Sequence, residues 1–107
     1  MLTMTLPIKK KWYDMILSGE KLEEYREIKP YYQNRLAKYM YNERSSSEEP
    51  WHKAEIVVRF RNGYSNNSPS FTARCTVDTG EGRPEWGAEP GKRYYILHIL
   101  EIERKDT

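Results

Sequence analysis

The sequence is poor in the residues that build metal sites and covalent cross-links. Its 107 residues include one cysteine, Cys75, and two histidines, His52 and His98. One cysteine excludes an intramolecular disulfide, and a structural zinc site needs several ligands at short spacings that this sequence lacks. We therefore predict no metal and no cofactor, and the lone thiol favours a reducing, cytoplasmic compartment.

Long apolar runs and a strong excess of one charge are also missing. No stretch approaches the ~20 apolar residues of a membrane span, and the N-terminus has no signal-peptide core. Lys and Arg number 18 against 16 Asp and Glu, which gives a net charge of +2. Such a chain does not bind nucleic acid by nonspecific phosphate attraction alone. The small net charge does not exclude a local basic cleft. We expect a protein that makes no membrane contact.

Aromatic side chains are plentiful, and most of them are tyrosines. The sequence has nine Tyr and three Trp against two Phe. Tyrosine fills volume in a core and still carries a hydroxyl group to a partner or to water. At this length one modest core is expected, so residues 1–107 are predicted to form a single domain.

The most informative stretch is the octapeptide Gly-Glu-Lys-Leu-Glu-Glu-Tyr-Arg at 19–26. Glycine is the natural residue after a helix, because it enters the left-handed region without a Cβ penalty. A strand over 21–28 is predicted to follow. Side chains alternate along a strand, so one face would carry Leu22, Glu24, Arg26 and Ile28.

This alternation predicts that the apolar Leu22 and Ile28 point into a core and bring Glu24 and Arg26 inward with them. A buried carboxylate beside a guanidinium is costly unless the two groups pair or bind a ligand. Two interpretations follow. The charges are an ion-pair network that fixes the strand, or they form a ligand site that Lys21 joins from the mouth of the strand.

Hydrophobic periodicity assigns the remaining elements. Strands are predicted over 2–6, 21–28, 54–61, 71–77 and 93–103, and helices over 9–18 and 31–41. Pro7 is expected to end the first strand. Residues 42–50 and 79–91 are predicted to be loops, the second with one helical turn at Glu85 and Trp86.

Several side chains admit both a structural and a functional interpretation. The three lysines at 9–11 form a solvated basic face or attract an anion to the helix start. The outer-face arginines Arg59, Arg61 and Arg74 belong to a solvated sheet face or to a phosphate-binding patch.

The sequence also predicts the environment of three further residues. His98 and Cys75 are predicted to be core residues, the first hydrogen-bonded and the second a small filler. Trp86 plugs the core or forms one wall of a base-stacking pocket.

Gly19, Lys21, Glu24 and Arg26 match the G-x-K-x-x-E-x-R signature of the ASCH domain, a relative of the PUA domain. A short strand and a helix precede these residues, and three strand-like runs follow, so the resemblance covers essentially the whole chain. It implies an α+β fold, in which a small five-stranded, partly open β-barrel carries two main flanking helices. It also implies a cleft that binds RNA or a nucleoside or nucleotide.

The resemblance suggests which residues bind that ligand. Lys21 and Arg26 would bind the anionic or carbonyl groups of the ligand. Glu24 would set the geometry of these cations or accept a hydrogen bond from a base, and an aromatic ring such as Tyr32 or Trp86 would stack on the base. The predicted binding residues are Lys21, Glu24, Arg26, Lys29, Tyr32, Arg35 and Trp86.

An enzymatic alternative comes from the same resemblance. Some small bacterial ASCH proteins are amidohydrolases that deacylate acetylcytidine with a motif Lys, a Thr and a later Glu. Lys21 matches the Lys, whereas Glu24 stands at the Thr position and Cys75 at that of the Glu, and a thiol cannot replace a carboxylate. If the protein is a hydrolase of this kind, or a ribonuclease, Lys21 and Glu24 are the expected catalytic residues. A non-catalytic adaptor domain is the third possibility.

Overall fold

A computed structural model describes residues 2–40 and 54–106, which fold around one five-stranded sheet. The strands are β1 (Met4–Ile8), β2 (Glu23–Glu27), β3 (Ile56–Asn62), β4 (Ser70–Glu81) and β5 (Arg93–Asp106). The helices are α1 (Lys10–Leu17) and α2 (Pro30–Leu36), with short 3₁₀ turns at Ala37–Tyr39 and Pro84–Trp86. Across the described residues, no helix combines the length and apolar character that a membrane crossing requires.

The strands lie in the order β1-β3-β4-β5-β2, so the first two strands of the sequence form the two edges of the sheet. β1 runs parallel to β3, and the other neighbours are antiparallel. The sheet curls into a half-barrel with two helices. The predicted fold class, α+β with a five-stranded, partly open barrel, is confirmed.

The core follows the predicted alternation of β3 and β4. The inward row of β3 includes Phe60, which is fully buried, as is Phe71 at the facing position of β4. Their ring centroids lie 5.3 Å apart. Burying such a side chain contributes about 1.5–3 kcal/mol, so these rows supply much of the folding free energy. The buried members of the two rows are Ile56, Val58, Phe60, Phe71, Ala73, Cys75 and Val77.

The helices close this core from one side. Tyr13 and Ile16 of α1 and Leu36 of α2 are buried against the sheet, and Tyr32 packs partly against them. The left-handed φ of +86° at Gly19 ends the α1 segment as the sequence predicted. The helix predicted over 31–41 begins one residue earlier and gives way to a 3₁₀ turn after Leu36, and its last residue lies outside the described part.

Two element boundaries were wrong for physical reasons. β1 spans Met4–Ile8 and includes Pro7, which was expected to end it. An edge strand tolerates proline because one side of its backbone needs no partner. Residues 79–81 were assigned to a loop, but they extend β4 and pair with residues 93–95 of β5. The loop predicted at 42–50 lies outside the described residues.

Apolar residues on both faces of 93–103 predict a central strand, with Ile96, His98, Leu100 and Ile102 on one face. β5 does lie inside the sheet, but this assignment of faces was wrong. The pairing of β4 with β5 shifts register between Arg74 and Cys75, where Leu100 is the extra residue of β5. A bulge of this kind changes which side chains point inward. Leu97 and Ile99 therefore belong to the core with Ile102, whereas Leu100 is 46% exposed.

His98 was predicted to be a core residue, and this was wrong. The imidazole is half-exposed, with Nδ1 3.6 Å from Glu23 and Nε2 3.7 Å from Asp78. Cys75 is the buried core filler that was predicted, and burial raises the pKa of its thiol to about 12.

Arg74 favours the structural interpretation of the outer-face arginines. Its guanidinium lies 2.6 Å from Glu55, 2.9 Å from Glu101 and 3.6 Å from Glu103. Hydrogen bonds to Glu101 and Glu55 raise the pKa of Arg74. Three carboxylates around one cation leave no net positive charge there to hold a phosphate.

Candidate functional site

The Lys21 ammonium is sealed inside the protein. The side chain has 0% of its surface exposed. Nζ donates hydrogen bonds to the backbone carbonyls of Glu23 and of Trp86, the second at 2.9 Å, and lies 3.2 Å from Oε1 of Glu24. An ammonium group has three donors, so all of them have partners within the protein.

Two aromatic rings complete the enclosure of Lys21. Nζ lies 5.1 Å from the ring centroid of Trp12 and 4.8 Å from that of Tyr25, both within cation–π range. Burial lowers the pKa of the ammonium below its ordinary value, and the attraction of Glu24 opposes that shift. Lys21 is thus a cation held by carbonyls, a carboxylate and rings.

Glu24 joins the two motif cations. Its carboxylate is 7% exposed, and each oxygen has its own partner. Oε1 faces Lys21, and Oε2 accepts a hydrogen bond from Nη1 of Arg26. One buried negative charge therefore lies between two positive ones, which leaves the group with a net positive charge.

Arg26 connects this network to the opposite edge of the sheet. Nη1 also donates to the carbonyl of Tyr25 at 2.8 Å, and Nη2 donates to the carbonyl of Pro7 in β1 at 3.0 Å. The Arg26 guanidinium thereby bridges β2 and β1, the two edge strands, and helps to close the half-barrel. The side chain is 12% exposed.

Two N–H groups of Arg26 make no hydrogen bond with the described residues. A guanidinium has five N–H groups, and the described residues engage two on Nη1 and one on Nη2. The Nε–H and the second Nη2–H have no acceptor among the described residues. These two donors form the part of Arg26 that is available to a ligand.

The reason for predicting these charges to be buried was wrong, although Lys21 and Glu24 are buried. Leu22 is 52% exposed and Ile28 is 47% exposed, because both lie outside β2. Apolar neighbours therefore do not carry Glu24 and Arg26 inward. The charges are buried because the sheet curls, which brings Pro7 to Arg26, and because Trp86 covers Lys21.

The segment 82–91 lies over Lys21 and is held there by polar contacts. Besides the bond from Lys21 to Trp86, the hydroxyl of Tyr25 accepts from the backbone N–H of Arg83 at 2.9 Å. A Cβ added at Gly82 would lie 2.6 Å from the Tyr25 ring, so the segment packs closely. Lys21 therefore anchors this segment.

A cleft of about 860 Å³ lies beside the network. It is bounded by β1, the start of α1, β2, the start of α2 and the turn after β3. Its basic lining residues are Lys9, Lys10, Arg26 and Lys29, and its aromatic ones are Trp12, Tyr25, Tyr31, Tyr32 and Tyr64. Among the described lining residues the one carboxylate is Glu24, which Lys21 and Arg26 already neutralise.

The structure brings together four of the seven predicted binding residues. Glu24, Arg26, Lys29 and Tyr32 line the cleft, while the Lys21 ammonium is sealed behind them. The other two predicted residues, Arg35 and Trp86, do not line it.

Arg35 and Trp86 each take part in a cation–π contact. The Arg35 guanidinium stacks on the ring of Tyr31 at 3.7 Å from the centroid, and Tyr31 does line the cleft. The ring of Trp86 is covered by Arg83 at 5.0 Å.

Several lining residues were not predicted as site residues, among them Tyr31, Asn62 and Tyr64. Tyr31 and Tyr64 are 53% and 86% exposed, and nothing in their local sequence distinguishes them from other surface tyrosines. Asn62 did carry a signal, because it continues the inward row of β3. The lysines at the start of α1, for which an anion-attracting role was one interpretation, do contribute Lys9 and Lys10 to the lining.

No metal-binding cluster occurs across residues 2–40 and 54–106, where no three His, Cys, Asp or Glu side chains are suitably grouped. Comparisons of the chain with protein-family models, with curated proteins and with solved structures found no match. The ASCH resemblance therefore rests on the four matching positions and the order of the elements.

Proposed function

We propose that the protein binds RNA or a nucleotide in the cleft beside Arg26. The observation that carries the proposal is that one cavity holds exposed aromatic rings beside Arg26 donors that no described residue engages. A guanidinium with two free N–H groups suits a phosphate, which accepts paired hydrogen bonds. Aromatic rings suit an unstacked base. A nucleotide combines both chemical groups in one molecule.

Charge supports an anionic ligand. The described lining residues contribute four cations against one carboxylate, which is already paired. Lys10 pairs with Asp14 at 2.6 Å, and Lys29 approaches Glu27 at 3.5 Å, yet both lysines are more than half exposed. Exposed pairs of this kind contribute about 0–1 kcal/mol, so an incoming phosphate displaces them at little cost.

The dimensions of the cleft fit a nucleotide-sized ligand. Its volume of about 860 Å³ lies within the roughly 300–1,000 Å³ that is usual for small-molecule sites. The ASCH resemblance of residues 19–26 adds support by analogy, since it implies the same class of ligand.

Deacylation of acetylcytidine by Lys21 has less support. A catalytic lysine has to reach its substrate, and the Lys21 ammonium is fully buried with its donors engaged. The Cys75 thiol is likewise buried and offers no carboxylate. In the binding proposal Lys21 is a positioning residue, which holds Glu24 and through it Arg26.

Two lysines that share one acidic partner provide the test. Lys29 and Lys92 both approach Glu27, at 3.5 and 3.3 Å, but Lys29 lines the cleft and Lys92 does not. Calorimetric titration with AMP and with a single-stranded RNA hexamer should show binding by the wild type. We expect Lys29→Ala to weaken it by about three- to tenfold and to reduce the salt dependence of RNA binding by about one counterion.

Lys92→Ala serves as the matched control and should leave both affinities unchanged. Equal losses in the two variants would mean that general surface charge, and not the cleft, holds the ligand. If the wild type binds neither AMP nor the RNA hexamer, the adaptor interpretation replaces the proposal. Release of acetate from acetylcytidine by the wild type would support the hydrolase instead.

A further inference from the structure

We propose that Asn62 contacts the base of the bound nucleotide and makes the site selective for adenine. This inference rests on the proposed nucleotide binding and extends it from the phosphate to the base. It assigns a specificity-determining role to a residue outside the charged motif.

The first observation is the position of Asn62 in the inward row of β3. The preceding members of that row, Val58 and Phe60, are fully buried in the core. Side chains two residues apart share one face of a strand, so Asn62 continues the row at its end. There the apolar row becomes an amide that lines the cleft. A carboxamide at this position contacts a ligand that occupies the cleft.

The second observation is that the fold makes no use of this amide. The side chain of Asn62 has no hydrogen-bond partner within residues 2–40 and 54–106. The turn after β3 does not need it either, because Gly63 takes the left-handed φ of +106° and the backbone N–H of Asn62 bonds to Pro69. A turn-forming role therefore does not account for the carboxamide.

The third observation is the register position of Asn62, which places it near the proposed phosphate site. Asn62 is the register partner of Ile8, and the carbonyl of the adjacent Pro7 accepts the hydrogen bond from Arg26. Adjacent strands lie ~4.8 Å apart, so the Asn62 backbone is about one strand spacing from the segment that holds Arg26. A phosphate on Arg26 and a base on Asn62 belong to one small ligand.

Carboxamide chemistry favours adenine. An asparagine presents one acceptor and two donors, and it forms paired hydrogen bonds to N6 and N7 of adenine. Hypoxanthine has an oxygen in place of the N6 amino group, so the same edge presents two acceptors. A single amide matches only one of them whichever way it is turned.

The test compares AMP with IMP, which share N7 but differ in the group on C6 and in the proton on N1. For the wild type, calorimetry should give a Kd for AMP that is about tenfold lower than for IMP. Asn62→Ala should reduce this ratio to within about twofold, because AMP loses two hydrogen bonds and IMP loses one, and it should leave the affinity for ribose 5-phosphate unchanged. Asn66→Ala, an exposed asparagine in the same turn, should keep the ratio of the wild type.

Each outcome bears on a separate claim. If the wild type binds AMP and IMP equally, the proposed role of Asn62 is wrong, but the proposal of nucleotide binding is unaffected. If Asn62→Ala weakens AMP, IMP and ribose 5-phosphate alike, Asn62 acts on the whole site and not on the base. If the wild type binds none of the three, both claims fail. The wild-type comparison decides the matter even if the variant does not fold.

Discussion

Glu24→Gln is expected to lower the free energy of unfolding by about 3–5 kcal/mol, the usual effect of removing one partner from a buried ion pair. Glu24 lies between Lys21 and Arg26, whose side chains are 0% and 12% exposed. Glutamine keeps the volume of the side chain but not its charge. Two buried cations would then face each other without a counter-ion.

Urea denaturation followed by tryptophan fluorescence measures this effect. Asp14→Asn is the matched control, because Asp14 pairs with Lys10 on the surface of α1 at 2.6 Å with more than half of its side chain exposed. The control should change the unfolding free energy by less than about 0.5 kcal/mol. If the two variants are equally stable, the motif charges do not hold the fold together.

Arg26→Lys is expected to weaken AMP binding by about ten- to a hundredfold, because hydrogen bonds to charged groups contribute roughly 1.5–3 kcal/mol. Lysine keeps a positive charge opposite Glu24. It cannot donate to Glu24, to the Pro7 carbonyl and to a phosphate from one planar group, as the guanidinium does. Affinity should therefore fall far more than stability, and calorimetry and thermal melting measure the two effects separately.

Arg35→Lys is the control for the loss of a guanidinium as such. Arg35 is exposed, stacks on Tyr31 and does not line the cleft. Its replacement should change the affinity for AMP by no more than about twofold. An Arg26→Lys variant that binds AMP as tightly as the wild type would exclude the guanidinium from ligand binding.

Much of the fold could be predicted because its information is local. The alternation of β3 and β4 identified the buried rows, and Gly19 marked the end of the α1 segment. The errors occurred where a residue distant in sequence determines the local structure. Pro7 continues a strand because β1 is an edge, and Leu100 faces outward because the register with β4 shifts. The neighbouring residues in the sequence indicate neither the edge position of β1 nor the register shift.

The candidate site was predicted in part, and for a reason that was wrong. Leu22 and Ile28 are exposed, so hydrophobic neighbours do not explain why Glu24 is buried. The partners that matter are Pro7, in the opposite edge strand, and the carbonyl of Trp86, which lies 65 residues from Lys21. Sequence patterns show which groups are ionisable, but only the curled sheet shows which of them reach the cleft.

The two interpretations of the motif apply to different residues. Lys21 and Glu24 form the buried network that the structural interpretation described, and they anchor the segment over the barrel. Arg26 shares that network and also lines the cleft, with two N–H groups that no described residue engages. The site therefore consists of an arginine held in place by Glu24, beside aromatic rings. The charges that hold this arginine rigidly are the same ones that stabilise the fold.

Backbone amide NMR shifts recorded during a titration with AMP test this account most directly. If the cleft binds the nucleotide, the largest shifts should fall in 5–10, 24–32 and 62–64, the three segments that bound it. The outer-face cluster around Arg74, Glu101 and Glu103 should be unaffected. Shifts centred on that cluster, or no shifts at saturating AMP, would contradict a nucleotide site at Arg26.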